Sequence, residues 1–175
     1  MKNILLGAGA ALILASGAHA SVVESGSNGF SIQETAHIQA TPEQVYDALV
    51  HPAKWWNAEH TYSKSAANLT MDARGGGCFC ETWSGGSVQH AIVVDAEPGK
   101  TLRLRGPLGP FQGQGVDGAL TFTLKAADGG TELTLDDNIG GYMKGGFGKW
   151  PQAADAMLND LVNHLKTYTE TRSSQ

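Results

Sequence analysis

The chain is short of positive charge. Its 175 residues hold 12 Lys and Arg against 17 Asp and Glu, a formal net charge of −5. No basic run appears, so nucleic acid and anionic membrane surfaces are poor partners. Apolar runs are short: Ile4 to Ala15 spans about a dozen residues, well below the ~20 that cross a bilayer. The stretch Gly145-Gly146-Phe147-Gly148-Lys149 lacks the spacing of a phosphate loop and the Ser or Thr that follows its Lys. The Gly-x-Ser-x-Gly context of a serine hydrolase is missing as well. His51, His60 and His164 have no metal-ligand spacing, and His37 falls on the wet side of its strand. Neither a metal nor a cofactor is expected.

The first twenty residues read as an export leader. Lys2 supplies the positive end, the apolar stretch follows, and Ala18-His19-Ala20 fits a small-x-small cleavage site. Cleavage after Ala20 is expected, with a periplasmic or secreted product of 155 residues and formal charge −6. No Cys follows the cleavage site, so a lipid anchor is not expected. Residues 21–28 are rich in Ser and Gly and read as a flexible segment. Residues 29–172 then form one domain.

Within that domain the pattern is strand, helix, many strands, helix. Phe30, Ile32, Ala36 and Ile38 alternate with polar residues, and only Glu34 interrupts the dry face. Thr41-Pro42-Glu43-Gln44 has the form of a capping box with Pro at the first helical position. His51-Pro52 ends that helix, and Trp55 and Trp56 sit on a short turn after it. From Asn68 to Asn138 short alternating segments are separated by Gly-rich turns. The last stretch, about Lys149 to Thr171, repeats apolar residues at helical spacing. One strand, a small helix, a run of antiparallel strands and a long final helix make an α+β layer architecture.

Two cysteines, Cys78 and Cys80, stand two apart on one strand and share a face. An extended chain sets them ~6.5–7 Å apart, at or beyond the reach of an unstrained disulfide. Two half-buried thiols are expected, with a strained Cys-x-Cys bridge as the alternative in an oxidising compartment. With Gly85-Gly86 as the hairpin turn, Glu81 opposes His90 and Phe79 opposes Ile92. One face then carries Phe79, Glu81, Trp83, Val88, His90 and Ile92, the other the cysteines. If the aromatic face is interior, Glu81 and His90 form a polar pair inside an apolar space, suited to proton transfer or to holding a ligand's carbonyl. If a bulge or slip inverts the faces, they are an ordinary exposed cross-strand pair.

The motifs taken together resemble the START-like, or SRPBCC, superfamily. Ala40 to Leu49 followed by His51-Pro52 and Trp55-Trp56 is similar to the opening of such domains. Arg74-Gly75-Gly76-Gly77, Glu97-Pro98 with Leu102, and Gly130 to Leu135 match, in order, the branch named for the activator of a heat-shock chaperone ATPase. The resemblance implies a helix-grip fold, in which a curved antiparallel sheet wraps around a long C-terminal helix and leaves a cavity between them. It implies no single activity, and an export leader argues against the cytosolic chaperone role.

One helix offers too little surface to fill such a sheet. The space left over is expected to be lined by Phe30, Ile32, Phe79, Trp83, Leu104, Phe122, Met157 and Leu161. Its polar points are Glu81, His90 and Glu34, and Trp55, Trp56, Phe111, Tyr142 and Phe147 stand near its entrance. Binding or transport of a small hydrophobic molecule is the first expectation. A cyclase or dehydratase using Glu81, His90 or Glu34 is the second, and a module that binds another exported protein through its sheet is the third.

Overall fold

The alternation that begins at Phe30 builds a strand at Gly29–Ile38. In it Phe30, Ile32, Glu34, Ala36 and Ile38 are buried and the residues between them are not. In the computed structural model, which describes residues 19–174, this is the second strand, β2. Helix α1 (Pro42–Leu49) follows, and its start is the reciprocal box read from the sequence. The Gln44 N–H donates to Thr41 Oγ1 at 3.4 Å and the Thr41 N–H to Gln44 Oε1 at 2.9 Å. Two otherwise orphaned donors are thereby satisfied, and Val45, Tyr46, Ala48 and Leu49 turn into the core.

Three single-turn 3-10 segments at Pro52–Lys54, Ala58–His60 and Ala66–Asn68 lead to β3 (Leu69–Met71). A meander follows through β4 (Cys78–Trp83), β5 (Gly86–Glu97), β6 (Thr101–Arg105), β7 (Gly115–Ala127) and β8 (Gly130–Tyr142). Helix α2 (Trp150–Ser173) closes the chain. With β1 (His19–Gly26) the strands form one sheet in the order β1-β2-β8-β7-β6-β5-β4-β3, and every pairing is antiparallel. Leu158, Leu161, Val162 and Leu165 of α2 are buried, and the helix packs on β1, β2 and α1. This is the helix-grip arrangement, α+β as expected. Among the described residues no helix is long and apolar enough to cross a membrane.

Two local readings are corrected. The flexible segment expected at 21–28 is mostly edge strand: Ser21 pairs with Gln33, Val22 with Ile32 and Ser25 with Phe30. Its Ser and Gly content concealed a strand whose backbone finds partners on β2. Of the leader expected at 1–20, residues 1–18 lie outside the described residues. The second correction is at the cysteines, which are bonded to each other rather than free. Their Cα atoms are 5.4 Å apart, closer than the ~6.5–7 Å of two fully extended steps. The strand draws in over Phe79, where the β4–β5 register also slips. Thiol titration of denatured, unreduced protein is therefore expected to find no free thiol, and two after reduction.

The core is continuous beneath the sheet, with Phe79, Phe122, Leu133, Leu135, Leu158 and Leu165 almost fully enclosed. Phe122→Ala would leave a ring-sized void and is expected to lower stability by about 3–5 kcal/mol, measured by urea denaturation. A loss below 1 kcal/mol would show that the ring borders open space instead.

Candidate ligand cavity

The hairpin that carries the polar pair turns one residue earlier than the sequence suggests. Trp83 pairs with Gly86, so Ser84 and Gly85 form the turn and Glu81 lies opposite Val88. That register alone would separate Glu81 from His90. A bulge restores them: Cys80 pairs with Gln89 and Phe79 with Ala91, so His90 is the extra residue on β5. Val88 and His90 face inward before the bulge, and Ala91 and Val93 after it, while Ile92 is turned out to solvent. The inverted half of the strand follows from the period-two rule, since one inserted residue exchanges the faces beyond it.

His90 Nε2 and Glu81 Oε2 are 3.0 Å apart, and both side chains are buried. Glu81 also accepts the backbone N–H groups of Tyr62, at 3.0 Å, and Ser63, at 2.5 Å. Burial pushes the Glu81 carboxyl up, but these donors outweigh it and hold the group below its ordinary value. Burial pushes His90 down and outweighs the adjacent carboxylate, so its ring is neutral. A neutral ring that donates from Nε2 to Glu81 keeps Nδ1 as an acceptor. The ring stacks in an aromatic row, 5.0 Å from Phe79 and 5.9 Å from Tyr62, with Trp56 5.2 Å beyond Phe79.

These groups form part of the wall of a cavity of about 510 Å³. Its floor is His90 on β5 and Asp137 and Ile139 on β8. Its roof is Trp150, Ala153, Ala154 and Met157 on the first turns of α2, and its sides are residues 56, 59–62 and 108–111. The exposed members Glu59, His60, Tyr62, Pro110 and Ala153 mark its mouth. Tyr62 ties the two sides together, its hydroxyl within 3.0 Å of the Gly109 carbonyl and 3.1 Å of Gln112 Oε1. Gln112 in turn donates to the carbonyls of Gln89 and His90. A Cβ at Gly118, beneath the floor, would stand 2.6 Å from Ile139 Cδ1, so a larger residue there would displace that side chain.

Of the residues expected in the lining, Trp56, His90 and Met157 face the cavity, as does Phe111. Glu81 stands behind His90. Ile32, Leu104, Phe122 and Leu161 are closed into the core, and so is Trp55, whose indole N–H donates to the Ala48 carbonyl at 2.8 Å. Phe30 supports the lining from behind, with Phe111 and Phe147 5.8 and 5.5 Å away. Phe79 backs Trp56 and His90. Trp83 folds over Gly85 and Gly86 of its own turn, and Tyr142 is 74% exposed at the end of β8. Neither reaches the cavity.

Glu34 faces inward as expected but lies under α2, outside the cavity lining. Burial, with Asp155 adding like-charge repulsion, raises it to about 7 against the pull of the Asn159 amide 3.3 Å away. The residue missed altogether is Asp137. It shares parity with Leu133, Leu135 and Ile139 on β8, so alternation continued two steps further would have turned it inward. It makes no hydrogen bond or ion pair among the described residues, and burial alone pushes it to about 7. Tyr62 and Leu108 come from irregular loops with no periodicity to announce them. Among the described residues no group of three potential ligands stands close enough to hold a metal ion.

Between the ordinary value of 4.5 and about 7, folded Glu34 keeps a proton that the unfolded chain has released. Stability from this group therefore falls as pH rises through that window, and the full penalty is present above 7. Glu34→Gln is expected to gain on wild type by on the order of 3 kcal/mol between pH 4 and pH 8. Urea midpoints of both proteins across that range measure it, and a constant difference would show that Glu34 ionises normally.

The model of a family described as polyketide cyclase / dehydrase and lipid transport matches residues 29–170. No curated protein matches the sequence. Solved structures share the fold at low identity. A protein from Chromobacterium violaceum aligns at 22% identity with TM-score 0.56, over 80% of this chain and 96% of its own. CalU16 from Micromonospora echinospora aligns at 16% and 0.55, over 88% and 83%. The Aha1 dimer from Colwellia psychrerythraea aligns at 19% and 0.50, over 78% and 96%.

Proposed function

We propose that this chain, which belongs to the polyketide cyclase / dehydrase and lipid transport family, binds and carries a small hydrophobic molecule in the cell envelope. The observation that carries the reading is the cavity. It is large enough for a molecule of some twenty heavy atoms and is lined mainly by aromatic and aliphatic side chains. His90 and Asp137 are the polar groups on its floor. A roomy apolar space with few, well-placed polar groups is the usual form of such a site. The envelope location is supported by the leader-like residues 1–20 and is compatible with the Cys78–Cys80 bond, since disulfides persist in oxidising compartments.

One observation favours an enzymatic reading beside it. His90 is neutral, oriented by Glu81 through Nε2, and lines the cavity. That arrangement suits a general base acting on a carbonyl-bearing ligand, as a cyclase or dehydratase would require.

Nile red, a neutral dye, is expected to bind wild type at one saturable site and to quench emission from Trp56 and Trp150. Met157→Trp should fill the roof and lower that affinity at least tenfold while the circular dichroism spectrum persists. Binding that survives Met157→Trp would place the dye elsewhere and overturn the assignment. His90→Ala separates the two readings: a carrier retains dye binding and has no turnover to lose, whereas an enzyme loses a pH-dependent reaction.

A further inference from the structure

Resting on the reading of this cavity as a hydrophobic-ligand site, we propose that its ligand is an amine: a hydrophobic molecule bearing a cationic nitrogen, held with Asp137 as counter-ion. The argument begins with what surrounds that carboxyl. Asp137 is 8% exposed and lies on the floor of the cavity. No N–H, hydroxyl or cationic side chain among the described residues reaches it. A carboxylate left so costs several kcal/mol unless something compensates it, and buried charges are normally paired. Unpaired, the carboxyl is driven towards its neutral form, and a cationic group on the ligand would keep it ionised.

The walls point to the sign of that partner. Among the described residues no Lys or Arg lines the cavity, so an anionic lipid or fatty acid would meet no cation there and would face Asp137. Trp56, Tyr62, Phe111 and Trp150 supply four aromatic rings around the same space. Ring faces attract a cation and have no such attraction for a carboxylate. Neutral His90, also in the lining, adds no positive charge that would repel a cation. At the mouth, the Glu59 carboxylate is 3.7 Å from Lys64. The lining carboxyl without a cationic neighbour is Asp137, at the bottom of the cavity, so an amine enters head first with its apolar part under α2.

The fold gives Asp137 no other task. It does not bond to its strand neighbours Ile32 and Leu120 through its side chain, and Leu at this position would continue the apolar row of β8. An acid there lowers the stability of the empty protein, and a cationic ligand would recover it.

The test is a matched series in which only the head group changes: decylamine, decan-1-ol and decanoate at pH 7.5, each below its micelle concentration. Binding is read by tryptophan emission and isothermal titration calorimetry. Decylamine is expected to bind at one site at least ~10-fold tighter than decan-1-ol, with decanoate weakest, as ion pairing and cation–π contact predict. Asp137→Asn should erase the preference for the amine, so that decylamine and decan-1-ol bind that variant alike, which also separates the site from general attraction of cations to an acidic surface. Equal or tighter binding of the alcohol, or an amine preference that survives Asp137→Asn, overturns this inference and leaves the hydrophobic-carrier reading standing. Saturable binding of none of the three sinks both.

Discussion

The concave face of an eight-stranded sheet is wider than a single helix can cover. Neighbouring strands lie ~4.8 Å apart, so β1 to β3 span roughly 34 Å, whereas a helix with its side chains is ~10–12 Å across. Helix α2 settles on the β1–β2 end, where Leu158, Leu161, Val162 and Leu165 join Ile32 and Ala36 in one buried core. The β4–β5 end is covered instead by the irregular chain from Pro52 to Asn68, anchored by Trp55 and Trp56. Where these two coverings meet, neither fills the space. The cavity is that join, which is why its lining comes from the first turns of α2, from loops, and from the strands between.

The polar groups of the interior follow from the same geometry. Glu34 and Asp137 stand on adjacent strands, diagonally across the β2–β8 ladder, since Glu34 pairs with Leu135 and Asp137 with Ile32. Glu34 lies under the helix and receives Asn159, whereas Asp137 lies under the join and receives no hydrogen bond from the described residues. Both are pushed towards neutrality by burial, yet only one faces open space. His90 and Glu81 show a different solution. There the chain supplies two backbone donors from residues 62 and 63, which help to keep Glu81 charged, while burial keeps His90 neutral in spite of that carboxylate.

The bulge at His90 and the Cys78–Cys80 bond lie back to back on the same pair of strands. On the outer face the disulfide draws β4 in over Phe79. On the inner face β5 carries its extra residue, and that residue is the histidine on the cavity floor. A plain ladder here would keep strict alternation and send Ala91 and Val93 outward in place of Ile92. The site and the local irregularity are therefore one feature.

Much of the architecture was legible in the residues alone. Alternation located β2 and turned Glu34 inward; the Thr41–Gln44 box located the start of α1; helical spacing located α2; and the ordered motifs pointed to the helix-grip fold. These are local properties, carried by periods of 2 and 3.6 and by capping chemistry within four residues. The same patterns placed Trp56, His90 and Met157 in the lining. They did not place Ile32, Leu104, Phe122 or Leu161, because an inward-facing residue looks the same whether another element covers it or leaves it open. Nor did they give the turn at Ser84-Gly85, the bulge or the disulfide, since a one-residue slip is decided by the partner strand. Asp137 was a polar residue at the end of an apolar row until β8 was seen to continue under the cavity. What the sequence by itself determined was which residues face inward; which of those meet packed atoms and which meet empty space was decided only when α2 and the 52–68 segment had come to rest on the sheet.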